Sequence, residues 1–441
     1  MATIKGSVGL YTLGCKVNQY ESEAIAEACS GLGLDVLPPD EVCDAYIINT
    51  CTVTGEADRK ARQFIRRAIS RNPDAYIIVT GCFAQVSPQA VADINGVDAI
   101  CGNDRKLSVA DIAADLIASG HKNPSPKLYL GDIDTAGFET MSINSFGRTR
   151  ACVKIEDGCE SHCTYCIIPS ARGKIRSKPM RQVIDELTVL TSGGCREVVL
   201  TGIETAAYGR DLEGVGLADL LEAADRIPGI GRVRLGSMDP SLFRPDFIRR
   251  IAALKSLTPH FHLSVQSGCD SVLAGMKRKY NSGMVLTAMQ NLRENIPEIQ
   301  FTADMIVGFP GETDEDFRNT MEFVDKARFL GIHVFAYSKR AGTPAATMPN
   351  QIPEPLKHER SALLIKKQAS IKHDILENVI KMNPVTEILP ETYDGQFAYG
   401  HTASFIEVRI PVQKRPPACL IPVRLNGIDG DVCTASLINK E

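Results

Sequence analysis

The chain has 441 residues, 44% of them apolar and 23% charged, with a formal net charge of −4. That length exceeds one compact core and predicts several domains of roughly 100–200 residues each. No apolar run approaches the roughly 18 residues of a membrane span, the polar start Met1–Val8 does not read as a signal peptide, and the acidic total argues against indiscriminate nucleic-acid binding.

Residues 1–105 alternate short β-branched runs with helical stretches. Ser7–Leu13, Ala45–Thr50, Ala75–Thr80 and Val97–Ile100 read as strands, and Tyr20–Gly31, Arg59–Arg71 and Ser87–Asn95 as helices. Strand, helix, strand at this spacing predicts an open parallel α/β sheet. In Arg59–Arg71, Phe64, Ile65, Ala68 and Ile69 form the apolar stripe. Arg59, Arg62 and Arg66 are left outside as candidate phosphate contacts, although a solvated basic face has the same pattern. Residues 121–148 have the Pro, Gly and Ser content of a linker.

A second α/β series follows. Its expected strands are Ala151–Glu156, Glu197–Thr201, Arg232–Gly236, His260–Val265, Phe301–Val307 and Gly331–Tyr337, with helices such as Arg181–Ser192 and Ser282–Asn295 between them. Six βα units predict an open (βα)6 partial TIM barrel rather than the closed eightfold one. A long helix over about Pro355–Lys381 comes next. The tail has short β-branched runs broken by Gly, Pro and Asn, which predicts a small antiparallel β-barrel. The expected domains are 1–145, 146–381 and 382–441. Lys and Arg against Asp and Glu number 12 to 18, 32 to 28 and 5 to 7 in these three, so positive charge is concentrated in the middle one.

Fourteen cysteines without a secretion signal point to metal or redox chemistry rather than disulfides. Cys159, Cys163 and Cys166 form Cys-x3-Cys-x2-Cys just after the first strand of the second series. Three thiolates leave one position of a metal centre open, and on a [4Fe–4S] cluster the open iron can bind S-adenosylmethionine and deliver an electron to it. A zinc knuckle would need a second paired motif, and none is present. Cys15, Cys51 and Cys82 each end one of the first three strands, where ligands of open parallel sheets gather. They form a candidate second cluster site, with Cys101 as a rival ligand and burial as ordinary core cysteines as the alternative.

The residues now spell a family. Leu13-Gly-Cys15-Lys-Val-Asn18, Asn49-Thr-Cys51-Thr-Val-Thr54, Thr80-Gly-Cys82, the triple-cysteine loop, His262-Leu-Ser-Val-Gln266 and Asp304-Met-Ile-Val-Gly-Phe-Pro310-Gly-Glu312 make the sequence similar to the radical S-adenosylmethionine methylthiotransferases over nearly its whole length. Cys15-Lys-Val-Asn-Gln-Tyr-Glu-Ser, Met276-Lys-Arg-Lys-Tyr280 and Tyr337-Ser-Lys-Arg-Ala-Gly-Thr-Pro344 are most similar to the subgroup acting on N6-threonylcarbamoyladenosine beside the tRNA anticodon. The resemblance implies a radical-generating [4Fe–4S] cluster on Cys159, Cys163 and Cys166, and an auxiliary [4Fe–4S] cluster on Cys15, Cys51 and Cys82 that carries the sulfur. It implies two S-adenosylmethionine molecules, one methylating the sulfur and one generating the radical that takes hydrogen from C2 of adenine. It also implies S-adenosylmethionine contacts at Tyr165, Gly202, Glu204, Ser264, Gln266, Ile306 and Gly308. Glu204 departs from the usual residue there, and a solvated loop acid is its plainer reading. Arg172, Lys174 and Arg176 follow the loop and are candidate RNA contacts.

Implied partners are tRNA, an electron donor such as flavodoxin or ferredoxin, and a sulfur donor, all in the cytoplasm and with no membrane. The isopentenyladenosine tRNA enzymes and the enzymes acting on a ribosomal-protein aspartate share the cysteine pattern. An iron–sulfur electron-transfer protein and a zinc-stabilised RNA-binding module are the readings from other classes.

Overall fold

Six parallel strands open the chain: β1 (Ser7–Thr12), β2 (Asp35–Leu37), β3 (Ala45–Thr50), β4 (Tyr76–Gly81), β5 (Ala99–Cys101) and β6 (Lys127–Tyr129), paired in the order β2-β1-β3-β4-β5-β6. The computed structural model describes residues 5–122, 124–382 and 384–438. β3 and β4 are buried along their whole length. Ile48 and Ile77 pack on one face with Ala61 and Ile65, while Ile47 and Ile78 pack on the other with Ile25 and Val109. Burial on both faces is why these strands read as continuous apolar runs rather than alternating ones. The covering helices are α1 (Lys16–Gly31), α2 (Gly55–Arg71), α3 (Cys82–Val86), α4 (Pro88–Ala92) and α5 (Ser108–Ser119). Thr54 caps α2 by accepting from Ala57 N at 3.1 Å, so that helix starts four residues before the basic stripe.

The expected linker at 121–148 is partly ordered into the fold. Lys127–Tyr129 is the edge strand β6, and Met141 and Ile143 are buried in the barrel core. A three-residue strand set among Pro, Gly and Ser leaves no periodicity to read. The expected helix Ser87–Asn95 shrinks to α4, which starts at Pro88.

The second series builds β7 (Ala151–Lys154), β8 (Glu156–Asp157), β9 (Arg176–Ser177), β10 (Glu197–Thr201), β11 (Arg232–Leu235), β12 (Ser237–Met238), β13 (His260–Gln266), β14 (Gln300–Val307) and β15 (Gly331–Ala336). β8 and β9 pair as a short antiparallel ribbon at the cysteine loop. The others form parallel sheets β7-β10-β11 and β12-β13-β14-β15, with β11 and β12 separated only by Gly236. Spatial order follows chain order, and β7 and β15 do not pair. The result is the expected open six-position partial barrel, with helices such as Met180–Ser192, Ser282–Asn295 and Asp314–Ala327 outside. The long helix Glu354–Met382 packs against β15.

The tail closes into a barrel of β16 (Val385–Tyr393), β17 (Phe397–Thr402), β18 (Glu407–Pro411), β19 (Ile421–Asp429) and β20 (Val432–Leu437), in the order β16-β17-β18-β20-β19. It is not antiparallel throughout: β18 and β20 pair in parallel. β19 crosses to the β16 edge, and β20 returns from it by a hairpin to close the gap beside β18. Phe405 joins this small barrel to the large one. It adopts φ +69° and stacks between His260 and His401, at centroid distances of 4.5 and 4.6 Å. Among the described residues no helix is long and apolar enough to cross a membrane.

Candidate iron–sulfur and S-adenosylmethionine site

Three neighbouring strands deliver the first cysteine set. β1 leads to Cys15, which caps α1; β3 leads to Cys51; β4 leads to Cys82, which opens α3. Their carboxyl ends lie side by side in the order β1-β3-β4, so the three thiols share one sheet edge. The Cys51 thiol is pushed up to about 12, first by burial and then by the Cys82 and Cys15 sulfurs beside it. Cys101 ends β5 but is fully buried within the apolar face of the sheet.

Beneath Cys82 lies a buried charge network. Arg172 is fully buried; its Nε donates to Cys82 Sγ at 3.3 Å, and its Nη2 donates to Asn18 Oδ1 at 2.8 Å. The same guanidinium pairs with Glu21 and with Asp157. Lys106 reaches Glu21 at 3.1 Å, Lys154 reaches Glu21 at 3.1 Å and Asp157 at 3.2 Å, and Arg176 reaches Asp157 at 3.6 Å. Burial alone would raise the Glu21 carboxyl, but Arg172, Lys106 and Lys154 outweigh it and hold the group well below the usual carboxylate range. Two carboxylates thus meet four cations in the protein interior, next to Cys82. An anionic thiolate-ligated cluster there would balance that surplus, so the donors present fit an iron–sulfur centre.

Arg172 and Arg176 are therefore not RNA contacts. Both turn inward beneath the loop into this network, where phosphate cannot reach them. Lys174 between them is exposed. On α2, Arg59 and Arg66 are exposed; Arg59 pairs with Glu56 at 2.6 Å, and Arg62 lies half-buried over the Phe83 ring at 5.5 Å.

The second cysteine set sits on the loop after β8. Cys159 N donates to Gly173 O at 3.0 Å, Cys166 N to Cys163 O at 3.0 Å, and Thr164 Oγ1 to Gly275 O at 2.9 Å. Its sulfurs collect further donors: Arg278 Nη1 at 3.1 Å from Cys163 Sγ, and Ile168 N at 3.4 Å from Cys166 Sγ. N–H groups aimed at sulfur are what a cluster ligand needs to stay anionic. Cys166 is pushed up to about 11, first by burial, with the Cys163 and Cys82 sulfurs adding to it. Arg172, a few residues past Cys166, meets Cys82 Sγ at 3.3 Å, which brings the two cysteine sets near each other. Among the described residues no group of three or more His, Cys, Asp or Glu side chains is drawn close enough to hold a single ion. Gly158 takes φ +93°, and a Cβ there would collide with Lys174 O. Gly158→Ala is expected to cost about 1–3 kcal/mol of loop stability and to lower iron loading, measured by thermal melting and iron assay.

Glu204 stands against this loop. Its Oε2 accepts from Cys159 Sγ at 3.1 Å and from Ser161 Oγ at 3.0 Å, and its own N donates to Glu156 Oε2 at 2.8 Å. Glu156 Oε1 is buried without a hydrogen-bond partner, and the carboxyl is raised well above its ordinary value by burial. Tyr165 is half-buried beside Cys163, Cys166 and Arg278. Ser264 and Gln266 end β13, where Arg278 Nη2 donates to Ser264 O at 3.2 Å and Gln266 takes φ +68°, a strained conformation for a non-glycine residue. Ile306 is half-buried near the end of β14. Gly308 is buried at φ +72°, and a Cβ there would also collide with Lys357 Cγ, so both the backbone conformation and packing against the long helix require glycine.

A cavity of about 1390 Å³ opens between the first sheet and the large barrel. Cys15, Cys51 and Cys82 line it with Gly202 and Ile203, whereas Cys159, Cys163 and Cys166 do not. Sequence reasoning missed Arg278, which ties Cys163 to β13, and the lumen group in which His262 Nε2 lies 3.2 Å from Asp304. It also left out Cys152, which lines the cavity. A lysine in apolar strand β7 (Lys154) was the one available signal of the buried charges.

An open parallel barrel whose first strand leads into a three-cysteine loop is the architecture of the radical S-adenosylmethionine class. The Radical SAM superfamily model matches residues 153–324, and the uncharacterized protein family UPF0004 matches residues 7–102. The threonylcarbamoyladenosine tRNA methylthiotransferase MtaB of Bacillus subtilis is 39% identical over 411 residues, covering 91% of this chain and 90% of that one. That of Thermotoga maritima is 40% identical over 366 residues, covering 83% and 82%. The tRNA-2-methylthio-N(6)-dimethylallyladenosine synthase of Alkaliphilus oremlandii is 35% identical over 402 residues, covering 89% and 84%. The chain belongs to the radical S-adenosylmethionine tRNA methylthiotransferase family. Among solved structures, the methyltransferase TsrM of Kitasatospora setae superposes with a TM-score of 0.56 at 16% identity, over 78% of this chain and 77% of that one, a likeness of fold.

Proposed function

We propose that this chain methylthiolates C2 of N6-threonylcarbamoyladenosine beside the anticodon of tRNA, acting in the cytoplasm through two [4Fe–4S] clusters and S-adenosylmethionine. The observation that carries the reading is the pair of cysteine sets at the ends of strands in two different sheets, joined through Arg172, which touches Cys82 and the buried acids of both. The substrate follows the relatives of matching length that bear the threonylcarbamoyladenosine name. When bound, S-adenosylmethionine and the clusters supply the radical that opens the C2–H bond and the sulfur that replaces the hydrogen.

The chain's own residues hold and orient these groups. Cys159, Cys163 and Cys166 ligate one cluster, and Cys15, Cys51 and Cys82 the other. Once Cys159 is a thiolate, Glu204 faces a like charge, and the methionine ammonium group of S-adenosylmethionine fits that position. Tyr165, Gly202, Ser264, Gln266, Ile306 and Gly308 are the further S-adenosylmethionine contacts that the family resemblance implies. Arg59, Arg62, Arg66 and Lys174 remain the tRNA-facing cations. An electron donor such as flavodoxin or ferredoxin and a sulfur donor complete the partners, and the domains divide at about 145 and 381.

Mass spectrometry of tRNA nucleosides from cells lacking the chain tests this. Expected is loss of the methylthio group from threonylcarbamoyladenosine alone. Its loss from isopentenyladenosine instead would reassign the substrate, and unchanged nucleosides would contradict the reading.

A further inference from the structure

The cavity wall carries both ion-paired and unpaired cations. Arg150 lies 2.6 Å from Glu197 and 2.5 Å from Glu391, and Arg234 lies 2.9 Å from Glu197. Lys16 and Arg148 also line the cavity; both are exposed, and neither has a carboxylate at ion-pair distance among the described residues, although the Arg148 charge reaches Glu23 from beyond that distance.

These two cations share one wall. Arg148 Nη1 donates to Gln19 Oε1 at 3.3 Å, and Gln19 is one turn along α1 from Lys16, on the same helix face. Burial pushes the nearby Cys152 thiol up to about 11, and the charges of both Lys16 and Arg148 oppose that rise. The Lys16 charge also reaches His333 in the barrel lumen. Lys16 opens α1, whose first turn holds no acidic residue. A helix N-terminus attracts anions and disfavours a lysine, so the position costs stability until an anion arrives.

We propose that Lys16 and Arg148 bind the carboxylate of the substrate's threonylcarbamoyl group, making this wall the place where the enzyme selects an N6 substituent that ends in an acid. The inference rests on the substrate named under Proposed function. A threonylcarbamoyl group ends in a carboxylate that two cations can hold by charge-assisted hydrogen bonds. A purely alkyl substituent makes neither of these charge-assisted hydrogen bonds, so it gains nothing from this wall.

The test uses full-length, cluster-reconstituted protein and two anticodon stem-loop RNAs, one with the threonylcarbamoyl acid and one with its carboxamide. The readout is the ratio of kcat/KM for acid over amide, compared at equal iron content. The wild type is expected to prefer the acid by about 10- to 100-fold, mostly through KM. Lys16→Gln combined with Arg148→Gln should bring the ratio to near unity, and Lys16→Arg should retain most of it. A double variant that keeps the wild-type ratio overturns the inference. So does an equal loss on both RNAs, which would mean that Lys16 only balances charge on the neighbouring cluster. If the wild type methylthiolates neither RNA, the substrate reading itself is what fails.

Discussion

Cys159→Ala is expected to reduce 5′-deoxyadenosine formation to background, while Cys51→Ala leaves it intact and stops methylthio product from appearing. The contrast follows from where each thiol sits. Cys159 belongs to the loop that Gly173, Gly275 and Arg278 hold against β13, beside Glu204. Cys51 ends β3 on the opposite side of Arg172, with Cys15 and Cys82 around it. A thiolate ligand has no substitute in alanine, so each change empties one metal position and leaves the other set whole. Deoxyadenosine and modified nucleoside are measured on the same anaerobic samples. Equal lesions in two folded variants would contradict the separation of roles.

Arg172→Met is expected to be the most destabilising single change in the chain. It removes the guanidinium but leaves Glu21 and Asp157 buried, each short of a partner. Breaking a buried ion pair from one side costs about 3–5 kcal/mol, because the abandoned charge stays out of water. Arg172→Lys should recover part of the stability, since one ammonium cannot reach Cys82, Asn18 and Glu21 together. The pH dependence has a definite sign. The Glu21 carboxyl is held below its unfolded value, so its stabilisation is complete above the usual carboxylate range and is lost as pH falls through the folded value. Arg172→Met should flatten that acid-side loss. Thermal melting across pH checks both effects, and a variant that melts like the wild type would contradict them.

Strand ends were the legible part of this molecule. β3 and β10 begin and end where their β-branched runs do, because two-sided burial writes a continuous apolar stretch into the sequence. The strand-end positions of Cys15, Cys51 and Cys82 were legible for the same reason, since each follows such a run, whereas Cys159, Cys163 and Cys166 were read from their spacing in one loop. Arg172 and Arg176 were not. Their closeness to the loop suggested a basic mouth, whereas the structure buries them against Glu21 and Asp157. Arg172 and Glu21 are 151 positions apart, and no local pattern encodes a partner that distant. Phe405 gave no signal either: it takes φ +69° and stacks on His260 and His401, a contact with a distant strand that no local pattern encodes.

Iron assay on anaerobically reconstituted protein tests the two-cluster claim most directly, in the wild type and in two triple variants, Cys15, Cys51 and Cys82 to alanine and Cys159, Cys163 and Cys166 to alanine. The account predicts about eight irons per chain in the wild type and about four in each triple variant. A wild type that binds only about four irons, or that loads zinc in their place, would contradict it.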